Sequence, residues 1–233
     1  MPSSSRSRTP LVLGAVAVVV VLIAIVAVVA AGGDDDGTGD TSGTSATGGT
    51  GGTAPADAID PLSATVTVTG DPLVLFEGDP DADPAVGTPA PGLRGTDYAG
   101  EATVVTPGED GPMLLVFLAH WCPHCNDEIP VLNEWRDAGG VPEDLRIVGV
   151  STAGSPDRPN YPPGEWLTEM DWQWEVLADG PFDGSAPPAA LEAYGVSAYP
   201  FFTLIDADGN VAARGSGEPS IEELQALVAR VAG

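Results

Sequence analysis

The stretch that most limits what this chain can become is Met113 to Cys125, MLLVFLAHWCPHC. An unbroken apolar run from Met113 to Ala119 predicts a strand covered on both faces, because a half-solvated strand would alternate. The strand leads straight into Trp121, two cysteines and the only two histidines of the chain, His120 and His124. With no other cysteine present, Cys122 and Cys125 pair with each other, bind something together or stand idle.

Around this centre the pattern alternates between strand and helix. Ala64–Thr69 and Leu73–Phe76 have strand character, and Gly78–Gly92, dense in Pro, Asp and Gly, reads as irregular. Thr103–Thr106 is a further short strand. After the cysteines, Glu128, Ile129, Val131, Leu132 and Trp135 follow helical spacing up to Gly139-Gly140. Leu145–Ser151 predicts a second interior strand, Pro162–Met170 a helix with Pro in its first turn, and Val176-Leu177 a minimal strand. Pro188–Tyr194 reads as a helix stopped by Gly195. Phe201–Ile205 and Val211–Arg214 then flank the turn at 206–210, and Glu218–Val231 is an amphipathic closing helix. Strands alternating with helices and ending in a hairpin indicate an α/β domain with a mixed central sheet.

The N-terminal part is of another kind. Residues 1–10 carry Arg6 and Arg8, and the apolar run 11–31 contains no charge and is long enough to cross a hydrocarbon core. Asp34, Asp35 and Asp36 close it, so the flanking charges predict a cytoplasmic N-terminus and an exported remainder. A cleaved signal peptide is the alternative, but its apolar region would be shorter, about 7–15 residues. Residues 32–61, rich in Gly, Thr, Ser, Ala and Asp, predict a flexible linker, and 62–233 the folded domain.

Formal net charge is −26, and every basic residue is arginine. A field of that sign repels nucleic acid and anionic lipid surfaces, so neither is an expected partner.

At the cysteines, the strand end followed by Pro123 predicts that Cys122 opens a helix, where the dipole and free amides stabilise a thiolate. Cys122 would be the exposed nucleophile and Cys125 the more buried resolving thiol. His124 adds stabilisation if protonated; Asp127 and Glu128 act against it, and both are expected to be solvated. A structural disulfide would gain little from so short a loop. Zinc held by Cys122, Cys125 and both histidines would crowd four ligands into six residues, so no metal is expected. A redox pair is the reading left in front, with no cofactor beyond the Cys122–Cys125 disulfide itself.

Trp121-Cys122-Pro123-His124-Cys125 after a hydrophobic strand, Pro130 five residues past the second cysteine, and Tyr199-Pro200 directly before a strand resemble the thioredoxin superfamily. The segments 87–91, 97–100, FLAHWCPHCNDEIP and LIDADGNV resemble its membrane-anchored TlpA/ResA-like branch. The resemblance spans roughly Leu62 to Gly233. It implies a thioredoxin fold, a central mixed sheet flanked by helices, here behind a transmembrane helix and linker. It implies thiol–disulfide exchange through a mixed disulfide, with Pro200 against the cysteines, the Tyr199 backbone pairing with a bound polypeptide and Trp121 beside Cys122.

Two departures stand out. The superfamily's buried acidic residue, six positions before the first cysteine, is Val116 here, so Glu101, Glu128 or a water must serve the resolving thiol. The dipeptide Pro123-His124 is that of the disulfide-forming DsbA family, which tilts the expectation towards dithiol oxidation, with reduction of the cytochrome c maturation type as the alternative. The expected partners are exported polypeptides and a membrane redox protein that resets the cysteines. A thiol peroxidase would want Thr or Ser where Ala119 stands, and a Sco-type copper carrier a wider cysteine spacing and a distant histidine. A client-binding module without turnover is the remaining alternative.

Overall fold

The computed structural model describes residues 59–231 except 110 and 183. The apolar run 11–31 and the linker up to residue 58 lie outside the described residues. Among those described, no helix is long and apolar enough to cross a membrane.

The strand Met113–Leu118 (β4) lies at the centre of a five-stranded sheet, and each of its six side chains is fully buried. Period-two alternation divides it. Leu114, Val116 and Leu118 join one apolar cluster and Met113, Leu115 and Phe117 the other, so the sheet is covered on both sides. Arg146–Ser151 (β5) runs parallel to β4, with Met113 opposite Arg146, and Phe201–Ile205 (β7) runs antiparallel to it, with Phe117 opposite Phe201. Glu175–Ala178 (β6) extends the sheet beside β5 and Val211–Ser216 (β8) beside β7.

Among the described residues, four α-helices complete the layers. Pro123–Asp137 (α1) follows β4, with Cys125, Glu128, Ile129, Leu132 and Trp135 on its buried side. Pro163–Glu169 (α2) buries Trp166 and Leu167, and Ile221–Val228 (α4) buries Leu224 and Val228, in the same cluster as α1. Ala189–Ala193 (α3) packs on the opposite face with Tyr194. Trp166 and Trp172 are core residues.

Ahead of β4 a separate small antiparallel sheet forms from Thr67–Thr69 (β1), Gly92–Thr96 (β2) and Ala102–Val105 (β3). The sequence pattern missed β2, whose GLRGT carries two glycines and one large apolar side chain. Leu73–Phe76, expected as a strand, pairs with no strand. Its amides reach the end of α3 instead, Leu73 N–H to Ala193 O at 2.8 Å and Phe76 N–H to Gly195 O at 2.9 Å. Gly195 has φ 60°, and a Cβ there would lie 2.3 Å from Val74 O, so this close approach requires glycine.

The closing helix is shorter than its apolar pattern suggests. Ser220 caps it and Glu223 bonds back to the Ser220 amide, a reciprocal capping box. Glu218 and Pro219 therefore belong to the loop after β8.

Arg214 on β8 is fully buried and every hydrogen bond it makes is long-range. It holds Asp83 by two bonds of 2.6 and 2.8 Å and reaches Val74 O and Tyr194 O. The pairing with Arg214, together with the Ala85 amide, outweighs burial and keeps the Asp83 carboxyl below its ordinary range. Removing one partner strands the other charge in the core, so Asp83→Ala is expected to lose about 3–5 kcal/mol in chemical denaturation. A loss under about 1 kcal/mol would show that the pair does not hold the N-terminal segment to β8.

Candidate active site

Cys122 is the N-cap of α1, with Pro123 at the first helical position. A turn at the end of β4 sets it there, its amide donating to Ala119 O at 2.9 Å. Asn126 then fixes the first turn, donating to Cys122 O from its backbone at 3.3 Å and from its side chain at 2.8 Å. Both sulfurs are buried thiols, Cys122 6% exposed and Cys125 0%. The expectation of an exposed Cys122 thus needs correction. Its neighbours cover the sulfur, which lies 3.7 Å from Tyr199 O.

Tyr199 and Pro200 reach this point because they immediately precede β7, which pairs with the end of β4. The Tyr199–Pro200 peptide is cis. Trp121 is half-buried. Its ring meets Tyr199 edge-on at 5.8 Å, its indole N–H donates to Ala153 O at 2.9 Å, and the Arg158 guanidinium lies 5.2 Å above it. The structure therefore brings Trp121, Cys122, Cys125, Tyr199 and Pro200 together.

His120 is a tie rather than a ligand. It is fully buried, Nδ1–H donates to Pro159 O at 2.6 Å, and Nε2 accepts from the Ser155 amide at 3.1 Å. Burial, the larger effect, lowers its pKa, so the ring is neutral. Asn160 donates to His120 O at 2.8 Å and to Asn126 Oδ1 at 3.3 Å, and the same oxygen accepts from Trp166 Nε1 at 2.9 Å. Loop 153–161 is fastened to the cysteine motif by these bonds. No sequence signal marked Asn126, because one polar residue on a helix is ordinary.

His124 points outward. Its Nδ1 bonds Glu218 Oε1 at 2.6 Å, with side chains 67% and 41% exposed.

Glu128 overturns one expectation. Asp127 is exposed as anticipated, but Glu128 is fully buried on the Cys125 side of α1, one turn on. Neither carboxyl oxygen has a hydrogen-bond partner among the described residues. The signal was in the spacing, since Glu128 falls in the stripe with Cys125, Ile129 and Leu132. Glu101 is exposed in the turn before β3. Burial, helped by the charges of Glu218 and Glu223, pushes the Glu128 carboxyl up to about 8. Burial also pushes the Cys125 thiol far up, with Cys122 and Glu128 adding to the rise and a hydrogen bond with the Ala119 backbone opposing it.

This site on this fold defines a thiol–disulfide oxidoreductase of thioredoxin fold. The chain belongs to the AhpC/TSA family, whose model matches residues 86–214. Ala119, where a thiol peroxidase is expected to carry Thr or Ser, offers only its carbonyl, to the Cys122 amide. Similar solved structures include the thioredoxin domain of a thiol-disulfide oxidoreductase from Bacteroides vulgatus, 23% identical over 64% of this chain and 99% of that one, TM-score 0.49. StoA from Bacillus subtilis is 20% identical over 62% and 99%, TM-score 0.48. A secreted Mycobacterium tuberculosis disulfide oxidoreductase homologous to E. coli DsbE is 24% identical over 58% and 93%, TM-score 0.46. No curated protein matches significantly.

The raised Glu128 has a signed consequence for stability. The folded state keeps a proton that the unfolded chain releases near 4.5, so this contribution is complete below that pH and is lost as pH rises through about 8. Glu128→Gln is expected to flatten the pH dependence of the denaturation midpoint over that window and to be more stable than the parent at pH 8.5 by roughly 2–4 kcal/mol. Parallel profiles for the two proteins would place Glu128 in contact with water.

Proposed function

We propose that this protein is a membrane-tethered, extracytoplasmic oxidoreductase that exchanges disulfides with exported polypeptides through Cys122 and Cys125. The observation that carries the reading is the placement of Cys122 at the N-terminus of α1, facing the Tyr199 carbonyl, with Cys125 buried one turn behind. The uncharged run 11–31 and the residues flanking it support the tether.

In the reducing direction the Cys122 thiolate attacks one sulfur of a client disulfide and releases the other as a thiolate. Cys125 then attacks the Cys122 sulfur, and the client leaves with two electrons gained while the pair becomes a disulfide. In the oxidising direction the same steps run backwards, and a membrane redox partner resets the pair. The second attack requires Cys125 to lose its proton inside the core. Glu128, with a pKa near neutrality and on the same helical face, is suited to take it. Tyr199, from its backbone, and Trp121 would hold the client chain beside Cys122.

Two directions follow from different residues. The Pro123-His124 dipeptide favours dithiol oxidation, because a cation beside Cys122 stabilises the reduced form. Reduction, as in cytochrome c maturation, is favoured by the acidic side chains gathered here, Glu128 adding to the proton affinity of Cys125 and Glu218 bonding His124. A reduction potential near about −120 mV selects oxidation and one near about −270 mV reduction.

Cys122→Ser is expected to abolish insulin reduction and thiol oxidation, and Cys125→Ser to trap a client as a mixed disulfide on Cys122. Glu128→Gln should slow release of that intermediate by about 100-fold at pH 7. Client binding that survives Cys122→Ser while no disulfide forms in any redox buffer would replace the enzyme with a binding module.

A further inference from the structure

Glu218 is a member of this site that the cysteine motif does not account for. It would sit inside the closing helix if the apolar pattern alone decided. Pro219 and the Ser220 capping box end that helix early, so Glu218 lies in the loop between β8 and α4. The loop is anchored beside the cysteines, because Gly217 N–H donates to Pro200 O at 3.1 Å. One residue later the Glu218 carboxylate accepts from His124 Nδ1–H at 2.6 Å, across 94 residues of sequence.

The charged groups around His124 are mostly negative. From α1 come Asp127, whose oxygen lies within 4.8 Å of the His124 and Glu218 donor atoms, and the buried Glu128. From α4 comes Glu223, already committed to capping Ser220. An imidazolium two residues from Cys122 would stabilise its thiolate, and a carboxylate bonded to that imidazolium cancels most of its field beyond the pair. So exposed a pair adds little to fold stability. The sulfur beside it, by contrast, responds to the net local charge.

We propose that Glu218 is a positioning residue that sets the redox poise of the Cys122–Cys125 pair by holding His124 in an ion pair, making the disulfide less oxidising than Pro123-His124 alone would make it. This rests on the reading of Cys122 and Cys125 as an exchanging pair. Glu218→Gln takes one negative charge from beside His124, so the local charge becomes more positive. The reduced form is then stabilised and the disulfide becomes the stronger oxidant.

The test is equilibration of the full chain with glutathione buffers at pH 7. The proteins are the parent, Glu218→Gln, Glu218→Ala, His124→Phe and the double variant His124→Phe/Glu218→Gln, each checked for an unchanged thermal melt. Gln keeps an oxygen for the His124 N–H and removes only charge. Glu218→Gln and Glu218→Ala are expected to shift the exchange equilibrium about tenfold towards reduced protein, about 30 mV for this two-electron couple. In the His124→Phe background the exposed carboxylate has no imidazole to tie it beside Cys122 and turns to solvent, so the same Glu218→Gln change should move it less than about threefold, about 15 mV on that scale. A merely structural Glu218 would lower the melt and leave the potential in place. An unchanged potential in Glu218→Gln overturns the proposal, and so does an equal shift with and without His124. If even the parent forms no Cys122–Cys125 disulfide in any buffer, the exchange reading itself fails, and the proposal with it.

Discussion

Burial of β4 on both faces is the constraint from which the rest of the structure follows. A strand with apolar side chains above and below needs a cover on each side, so α1, α2 and α4 pack on one face and α3 with the N-terminal segment on the other. The same burial fixes where the chemistry can be. At the C-terminal end of β4 the chain turns into α1, and there Cys122 is placed with its amide bonded to the carbonyl of Ala119, the residue after the strand. β7, paired with β4, brings Tyr199 and Pro200 to the same edge without any further device.

The electrostatics of the site arise from how little water reaches it. Burial raises the proton affinity of both a thiol and a carboxyl one helical turn apart, and the carboxyl adds to the rise at the thiol. Both groups therefore favour their protonated forms at neutral pH, at the point where the proposed exchange would move a proton. Outside this dry region, His124 and Glu218 meet in solvent, so a buried and an exposed acidic group lie on either side of the cysteine motif.

Much of this was legible in the residues. Six consecutive apolar positions announced β4, CxxC with Pro123 announced a helix opening at a thiol, and Tyr199-Pro200 before Phe201 announced its partner. What stayed hidden has physical causes. Glu128 was read as solvated because acidic residues seldom lie in a core unpaired, although its place in the Cys125–Ile129–Leu132 stripe said otherwise. Cys122 was read as exposed because a nucleophile must be reached, whereas its cover comes from Tyr199, 77 residues away. β2 has too few large side chains to show a period, and Leu73–Phe76 has a strand's composition but bonds to the end of a helix. Glu218 has a place in the apolar pattern of the closing helix, but Ser220, two residues on, caps that helix and leaves it outside.

Loop 153–161 gives the approach to Cys122 a handedness. On that flank His120, Trp121 and Asn126 are all tied to the loop, leaving a firm wall whose outward charge is Arg158. On the other flank His124 and Glu218 stand open to solvent within an acidic surround. A polypeptide that exchanged disulfides here, as proposed, would meet unlike surroundings before and after its reacting sulfur, cationic and aromatic at one end and anionic at the other. The two directions of threading would then not be equivalent, and the charges flanking a client's cysteine would become part of its address.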